Sequence, residues 1–290
     1  MKYALISRLR TQIPVTLMSR VFEVSKSGYY AWLKRGPSRR AQDDTRLAVA
    51  IKAAHRRTRQ TYGPERLQPE LAAEGFHVGV GRIKRLRRQL GLRCKQKRRF
   101  KATTNSNHGL PVADNVLAQD FSTVRPHQVW VSDITYVATD EGWLYLAGIK
   151  DLHTCEIVGT AMGPRMTQAL VAQALFGAVA QHRPPRGLIL HSDRGSQYWA
   201  HDYQRLIRQF GIRCSMSRRG NCYDNAPMES FWGTLKTELV HHRRYESRAQ
   251  AMREITEYIE IFYNRQRRHS KINNLAPAVF AKQYELRAAA

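Results

Sequence analysis

The chain has 290 residues, 42% of them hydrophobic, which is enough for two or three domains with cores of their own. No apolar run approaches the ~18 residues of a transmembrane helix, and the N-terminus lacks the long apolar segment of a secretion signal. The four cysteines form no C-x-x-C pair, which argues against a disulfide framework. These features predict a cytoplasmic protein without a membrane partner.

The net charge of +25 is distributed unevenly along the chain. Residues 1–110 hold 26 lysines and arginines against 6 acidic residues, a net charge of +20, whereas residues 111–290 have a net charge of only +5. A purely solvated basic surface of this density repels itself unless a polyanion neutralises it. The charge therefore favours a nucleic-acid partner, bound with a strong dependence on salt.

The first predicted segment, residues 1–40, contains two short helices. Leu17 and Val21 lie at helical spacing in the first, and a serine caps the second, residues 26–34. Two short helices joined by a tight turn predict a helix-turn-helix, although an ordinary helical hairpin has the same pattern. Residues 37–44 are polar and predict a linker.

The second predicted segment, residues 41–102, is a helix-turn-helix DNA-binding domain. Its helices are predicted over residues 45–59, 65–74 and 80–90. No acidic residue occurs between positions 75 and 113, so contact with the DNA backbone is favoured over a solvated basic face. The candidate DNA contacts are Arg82, Lys84, Arg85, Arg87, Arg88, Lys95, Lys97, Arg98 and Arg99. Residues 103–125 lack periodicity and predict a linker.

Residues 126–285 alternate strands with helices and predict a mixed α/β domain. The predicted strands are residues 129–138, 143–150, 156–162, 188–190 and 213–217. The predicted helices are residues 167–181, residues 200–210, one that begins at Asn225, and a C-terminal one over residues 248–263, expected to pack on the core.

Three carboxylates occupy distinctive positions in this domain. Asp133 lies within a strand among apolar neighbours, where an acid is costly unless it is paired or binds a metal. Asp193 follows the strand at 188–190, and Glu229 lies in the first or second turn of the helix that Asn225 begins as N-cap. One such acid alone is usually a cap or a satisfied polar residue. Three together, with no Cys/His cluster, suit magnesium, and two such ions support phosphoryl transfer.

Basic residues flank these acids. Lys236 lies two helical turns after Glu229 on the same face, or simply on the solvent side of the helix. His191 and Arg194 flank Asp193, where each can orient a carboxylate, touch phosphate or be structural. Three more residues are predicted to be structural: Asp151 and Asp224 as turn or cap residues, and Trp232 in the core.

The combined pattern resembles a known family. W-x-S-D-I-T-Y at residues 130–136, H-S-D-R-G-S-Q-Y at residues 191–198, and a glutamate separated from the second aspartate by 35 residues are similar to the motifs of the Asp-Asp-Glu transposases of bacterial insertion sequences. These are relatives of retroviral integrases. Residues 262–269 and 275–277 resemble the C-terminal signature of OrfB, the second-frame product of the copy-out/paste-in family. The resemblance covers nearly the whole chain.

The resemblance implies a ribonuclease-H-like (retroviral integrase) catalytic domain preceded by an all-α helix-turn-helix region. It implies that Asp133, Asp193 and Glu229 are catalytic and hold Mg²⁺ or Mn²⁺, two ions in all, and that Lys236 contacts DNA. The implied activity is cleavage of transposon ends and joining of the 3′-hydroxyl to DNA by direct transesterification. Arg194 is a further candidate DNA contact.

The implied partners are double-stranded DNA, both transposon ends and target, and further copies of the chain bound to that DNA. In this family the active enzyme is often a frameshift fusion with an upstream first-frame protein, which is a further candidate partner. The implied location is the bacterial cytoplasm, at the nucleoid. Two alternatives are a ribonuclease-H-type nuclease and a DNA-binding repressor without catalysis.

Overall fold

The structure is a computed structural model that describes residues 2–95, 115–218 and 222–289. A helical N-terminal region precedes a five-stranded sheet, and helices cover both faces of that sheet. Within the described residues, no helix is both long enough and apolar enough to cross a membrane.

A small three-helix bundle forms the N-terminus. Its helices are α1 (Lys2–Leu9), α2 (Val15–Val21) and α3 (Lys26–Lys34). Ile6, Met18 and Tyr29 meet in its core. Ser25 accepts a hydrogen bond from the Gly28 N–H at 3.0 Å and so caps α3. The two predicted helices and the capping serine are confirmed. Helix α1 is the third helix of the bundle.

The second helical unit begins earlier than predicted. It consists of α4 (Arg39–Arg57), α5 (Pro64–Ala72) and α6 (Val80–Gln89). The prediction of a linker over residues 37–44 is wrong, because Ser38 caps α4 by accepting the Ala41 N–H at 3.2 Å. Asp44, which made the segment look like a loop, is instead an ion-pair partner. It accepts bonds at 2.7 Å from Arg82 Nε and at 2.6 Å from Arg85 Nη2 of α6.

The sheet has the order β3-β2-β1-β4-β5. Its strands are β1 (Val129–Thr139), β2 (Gly142–Asp151), β3 (Ile157–Gly163), β4 (Ile189–Ser192) and β5 (Arg213–Met216). The first three pair antiparallel, whereas β4 and β5 continue the sheet in parallel with β1. This is the ribonuclease-H-like arrangement that the sequence predicted, with every predicted strand present.

Helices pack on both faces of the sheet. They are α7 (Gln168–His182), α8 (Ser196–Trp199), α9 (His201–Gln209), α10 (Ala226–Glu238) and α11 (Arg248–Glu257). Trp130 and Ala147 share a core with α7 and α9. Val131 and Leu146 share another with α10 and α11. The alternation of side chains along β1 and β2 therefore divides the molecule into two layers of helix around one sheet.

The C-terminal helix packs on the core as predicted, with one irregularity. After Glu257, α11 widens into a π-helical segment, Tyr258–Tyr263, and a further helix, α12 (Pro277–Ala289), follows. Asn264 then exchanges two hydrogen bonds with the backbone of Ile157 on β3, at 3.0 and 2.9 Å. The chain after α11 is thereby attached to the outer strand of the sheet.

The second helical unit and the C-terminal region share one hydrophobic core. Tyr62, between α4 and α5, is fully buried, and its hydroxyl accepts the Arg268 backbone N–H at 2.6 Å. Arg268 Nε donates to Glu70 of α5 at 2.6 Å. The two units are therefore joined by packing and by charge.

The predicted linker, residues 103–125, lies partly outside the described residues. Its described part has neither helix nor strand, but it packs against the core. Leu117 is buried, while Asn115 and Gln119 donate to the carboxylate of Asp224 at 2.9 and 2.8 Å. These contacts attach the segment to the turn that precedes α10.

Candidate active site

Strand register brings Asp133 and Asp193 side by side. In the parallel pair of β1 and β4, Ser132 lies opposite Ser192, and the next residue on each chain is an aspartate. Because neighbouring strands lie about 4.8 Å apart, the two carboxylates begin from adjacent backbone positions. The Gly195 N–H donates to Asp193 Oδ1 at 3.0 Å and helps to orient it.

Helix α10 approaches the sheet where Gly148 leaves room for it. Gly148 lies opposite Asp133 in the antiparallel pair of β1 and β2. A Cβ on Gly148 would lie 2.7 Å from Trp232 Cη2 and 3.2 Å from Met228 Cε. The Trp232 ring therefore packs on bare backbone, and its Nε1–H donates to Asp133 Oδ2 at 3.0 Å. One indole both seats the helix and orients a catalytic candidate.

Two further hydrogen bonds fix the start of α10. Asn225 Nδ2 donates to the Ser132 carbonyl at 3.1 Å, and the buried Lys150 donates through Nζ to the Pro227 carbonyl at 3.3 Å. Asn225 does begin the helix, but the expectation that its side chain caps it is wrong, because that amide is bound to the strand instead. Glu229, in the first turn, is thus held beside the two aspartates.

Burial dominates the electrostatics of the three carboxylates, and the charges of the other two also act on Asp133. Burial, followed by the neighbouring charge of Asp193, raises the pKa of Asp133 to about 8; Glu229 adds to this rise and the Trp232 hydrogen bond opposes it. Burial likewise raises the pKa of Asp193 and of Glu229. A bound cation would favour the ionised form of all three.

The donor set fits a hard divalent cation by its chemistry, since all three groups are anionic oxygen ligands on separate elements. In the part of the chain that the structure describes, no three Asp, Glu, His or Cys side chains converge closely enough to hold an ion. Asp133 and Asp193 are brought together by the register, whereas the Glu229 side chain extends into solvent. The three residues therefore surround one region without forming a closed ligand cluster.

Lys236 lies beside this region and does not occupy an open solvent face. Its Nζ is 5.1 Å from the centroid of the Tyr136 ring on β1. Burial lowers the pKa of Lys236, and the nearby Asp133 carboxylate opposes that shift. A cation is thus positioned two turns along α10 from Glu229, within electrostatic reach of the aspartates.

The far end of α10 is fixed by a buried ion pair. Glu238 is 7% exposed and accepts hydrogen bonds from Arg267 Nη2 at 2.8 Å and from the Tyr258 hydroxyl at 2.6 Å. The Arg66 guanidinium of α5 lies 3.9 Å from the same carboxylate, and Lys95 Nζ donates to the Glu238 carbonyl at 3.2 Å. The helix that carries Glu229 is therefore anchored at both ends.

The predicted DNA contacts on α6 divide into two groups. Arg82 and Arg85 pair with Asp44, and Arg87 is buried with its Nη2 on the Cys94 sulfur at 3.0 Å. Lys84 and Arg88 remain exposed, and together with Arg93 they line a cavity of about 350 Å³. Lys97, Arg98 and Arg99 lie outside the described residues. The exposed group is the better candidate for contact with phosphate.

Residues flanking the aspartates have structural partners. His191 is fully buried, with its ring nitrogens 2.9 Å from Ser215 Oγ and 3.1 Å from Ser217 Oγ, and burial lowers its pKa to about 4. Arg194 Nε donates to the Ser217 carbonyl at 2.6 Å. The contacts of His191 are therefore those of a structural residue. Arg194 has one such contact but is partly exposed.

The acids that were predicted to be structural are so. Asp151 accepts the backbone N–H groups of His153 and Thr154, each at 2.8 Å, as a turn residue does. Asp224 is fully buried; burial alone would raise its pKa, but hydrogen bonds led by the one from Arg218 lower it to about 2. Neither acid belongs to the group around Asp133.

Sequence reasoning missed the residues that support the carboxylates. Trp232 was predicted only as core, yet it also hydrogen-bonds Asp133; the available signal was its position three residues after Glu229, on the same helical face. Lys150 stands in an otherwise apolar strand, which indicated a buried amine with a specific partner. Gly148, two residues earlier, marks a close approach that only the partner helix explains.

Three models of known protein families match this chain. Residues 123–222 and 210–277 match two models described as Integrase core domain, and residues 42–100 match one described as HTH-like domain. The chain is 62% identical over 272 residues to the Insertion element IS600 uncharacterized 31 kDa protein of Shigella sonnei, covering 94% of this chain and 100% of that protein.

The chain is also 42% identical over 282 residues to Transposase InsF for insertion sequence IS3A of Escherichia coli K12, covering 97% of this chain and 98% of that protein. Among solved structures, the HTLV-2 integrase catalytic core domain aligns with a TM-score of 0.43 at 13% identity, covering 54% of this chain and 97% of that one. With an HTH-like domain ahead of an integrase core domain, the chain belongs to the family of insertion-sequence transposases that includes InsF.

Proposed function

We propose that this transposase cleaves the ends of its element and joins the resulting 3′-hydroxyl to DNA, with Asp133, Asp193 and Glu229 as its catalytic residues. The observation that carries the proposal is the register of β1 and β4, which makes two aspartates neighbours at the point where α10 presents a glutamate. Magnesium or manganese, two ions in all, would activate the attacking oxygen and stabilise the leaving one.

The chemistry is two successive exchanges at phosphorus. In the first, a water oxygen forms a bond to the phosphate at the transposon end, and the bond to the 3′ oxygen breaks to leave a free 3′-hydroxyl. In the second, that hydroxyl attacks a phosphate of the DNA to be joined, and another 3′ oxygen leaves. No side chain of the protein becomes covalently attached to DNA, and Lys236 binds the anionic backbone beside the reacting phosphate.

The proposed substrate is double-stranded DNA, both as transposon end and as target. The exposed cations of α6 would bind part of it. We further propose that several copies act together on DNA, because two ends must be held at once. An upstream first-frame protein of the same element is a candidate partner, and the bacterial nucleoid is the proposed location. These proposals are supported by the family to which the chain belongs and by its charge.

The test is strand cleavage and joining on a labelled duplex that carries the terminal repeat of the element. Glu229→Gln retains size and removes one anionic ligand, so we expect both steps to fall by about 100-fold or more while DNA binding is kept. Asp202→Asn is the matched control, since that acid is exposed on α9 and pairs only with Arg205 at 2.8 Å.

Near wild-type joining by Glu229→Gln would overturn the catalytic assignment. Cleavage without joining on a two-ended substrate would indicate a nuclease of the ribonuclease-H type. Retained DNA binding with no cleavage by the wild-type chain in magnesium would indicate a repressor.

A further inference from the structure

Two aromatic rings are exposed on the hairpin that carries Asp133. Tyr136 on β1 is 50% exposed and Trp143 on β2 is 49% exposed. Their ring centroids lie 4.9 Å apart with an interplanar angle of 80°, so the rings contact edge to face. Large apolar groups left together in solvent mark a surface that binds something.

The backbone beneath these rings is held firmly. Arg248 of α11 donates through Nε to the Trp143 carbonyl at 3.0 Å and through Nη2 to the Glu141 carbonyl at 2.6 Å. The Asp140 N–H donates to the Tyr245 carbonyl at 2.9 Å. The backbone that carries the rings is therefore fixed before any ligand arrives, which reduces the entropy lost on binding.

The surroundings favour an anionic partner of a particular kind. Lys236, with its Nζ 5.1 Å from the Tyr136 centroid, places a cation against the ring pair. Tyr136 is three strand residues from Asp133, and Trp143 lies opposite Ala138, five residues from it. Because both separations are odd, the two rings leave the sheet on the face opposite to Asp133. They lie on the part of the hairpin beyond Ser132, where β4 no longer pairs with β1, and Lys236 of α10 reaches the Tyr136 ring there. At about 3.4 Å per residue these separations are roughly 10 and 17 Å, the length of about three to five base-pair steps of duplex DNA.

Flat rings beside a cation suit a nucleobase and its phosphate. A paired base shows only its edges in the grooves, and its face becomes available only when it leaves the stack. Resting on the proposed function, we propose that Trp143, braced by Tyr136, stacks on an unpaired base of the DNA end a few nucleotides from the cleaved phosphate, with Lys236 on the adjoining backbone. The platform would favour local opening of the duplex at the site of cleavage.

The experiment uses the full chain and a duplex carrying the terminal repeat of its element, in two forms. One form is fully paired, and the other has mismatches over the five base pairs nearest the cleavage position. The variants are Trp143→Ala, Trp143→Phe and Tyr136→Ala. The matched control is Phe176→Ala, because Phe176 is another exposed aromatic residue, 61% exposed on α7, with its ring centroid 6.4 Å from that of Phe210.

We expect Trp143→Ala to cleave the paired duplex about 5- to 100-fold more slowly than wild type, the range for loss of one stacked base. Tyr136→Ala should lose less, Trp143→Phe should stay within about threefold, and Phe176→Ala should be unchanged. Mismatched DNA should restore most of the activity of Trp143→Ala, which a merely structural defect would not allow. On the mismatched duplex, where the base is already unpaired, a 2-aminopurine at that position should be brighter when bound to Trp143→Ala than when bound to wild type, since stacking on the indole quenches it.

The proposal is overturned if Trp143→Ala equals wild type on paired DNA, if mismatches do not rescue it, or if Phe176→Ala loses as much. It is also overturned if Trp143→Ala changes the sedimentation of the free chain, since the rings would then bind a second copy. Failure of the proposed function is a different result, in which the wild-type chain cleaves neither duplex in magnesium.

Discussion

At the scale of the residue, the site depends on side chains that are not themselves candidates for metal binding. Trp232 is the clearest case, because its Nε1–H holds Asp133 Oδ2 at 3.0 Å while its ring fills the space above Gly148. A hydrogen bond from a neutral donor to a carboxylate contributes about 1.5–3 kcal/mol. The orientation of Asp133 should therefore respond to the loss of a single N–H.

Trp232→Phe retains an aromatic ring on Gly148 but removes that donor. We expect cleavage to fall by about tenfold or more and the magnesium concentration for half-maximal rate to rise, while the melting temperature changes little. The control is Met228→Leu, a volume-conserving change one turn away on the same face of α10. If both variants lose activity equally, packing of the helix and not the hydrogen bond is what matters.

The residue scale is also where prediction from sequence succeeds and stops. Asp133, Asp193 and Glu229 stand out as a set, by the spacing and flanking residues that resemble the Asp-Asp-Glu family, whereas an acid at a strand end or in a first helical turn is ordinary by itself. Trp232 and Lys150 leave weaker signals, since an aromatic residue on the Glu229 face and a lysine in an apolar strand do not reveal their partners. Their roles depend on which atoms the fold brings within 3.0–3.3 Å, and no pattern along the chain encodes that distance.

At the scale of the element, helix α10 connects the sheet to the C-terminal region. Its start is tied to β1 and β2, and its end is tied through Glu238 to Arg267 and Tyr258. Burying a charged pair gains little by itself, but removing one partner leaves an uncompensated charge and costs about 3–5 kcal/mol. The residues that resemble the family's C-terminal signature are therefore anchors of this helix.

Arg267→Met should lower the free energy of unfolding by about 3–5 kcal/mol, because Glu238 stays buried without its cation. Adding Glu238→Gln to it should recover part of that loss. The comparison is Arg244→Met, because the Arg244 side chain is 84% exposed in its pair with Asp140, so this substitution should leave the free energy of unfolding nearly unchanged. Urea unfolding measures all three, and equal losses at the two arginines would contradict the anchoring role.

Element boundaries were the weakest part of the sequence-based prediction. Every strand was located, for example β1 by its alternation of apolar and polar residues and β4 by a run of three apolar residues after a Pro- and Gly-containing turn. The predicted start of helix α4 was six residues too late, because the first turns of the helix are polar. Asp44 in these turns pairs with Arg82 and Arg85, which lie on another helix. Tertiary ion pairs can make a helix look like a loop, and only the folded chain reveals them.

At the scale of the whole molecule, the charge is concentrated in the helical N-terminal part. Only some of that charge is available to DNA, because Arg82 and Arg85 pair with Asp44. On the same helix, Lys84 lies 3.6 Å from the exposed Glu65, and Arg88 faces solvent. The salt dependence of DNA binding should separate the two groups, since each phosphate neutralised contributes about 0.9 to the slope of log affinity against log salt.

Arg88→Gln in the full chain should reduce the magnitude of this slope by about 0.9. Arg82→Gln should leave the slope unchanged and instead lower the melting temperature, as it removes a partner of Asp44. Anisotropy of a labelled duplex over a series of KCl concentrations measures the slope. The assignment fails if the two variants change it equally.

The core shared by α4–α6 and the C-terminal region has a consequence for how the protein is made. The Tyr62 hydroxyl accepts the backbone N–H of Arg268, 206 residues later in the chain. At about 5–20 residues per second, a ribosome needs roughly ten seconds or more between the two segments. Helices α4–α6 therefore reach their full stability only after Arg268 has been made, and a chain interrupted before that residue lacks the surface that holds them in place.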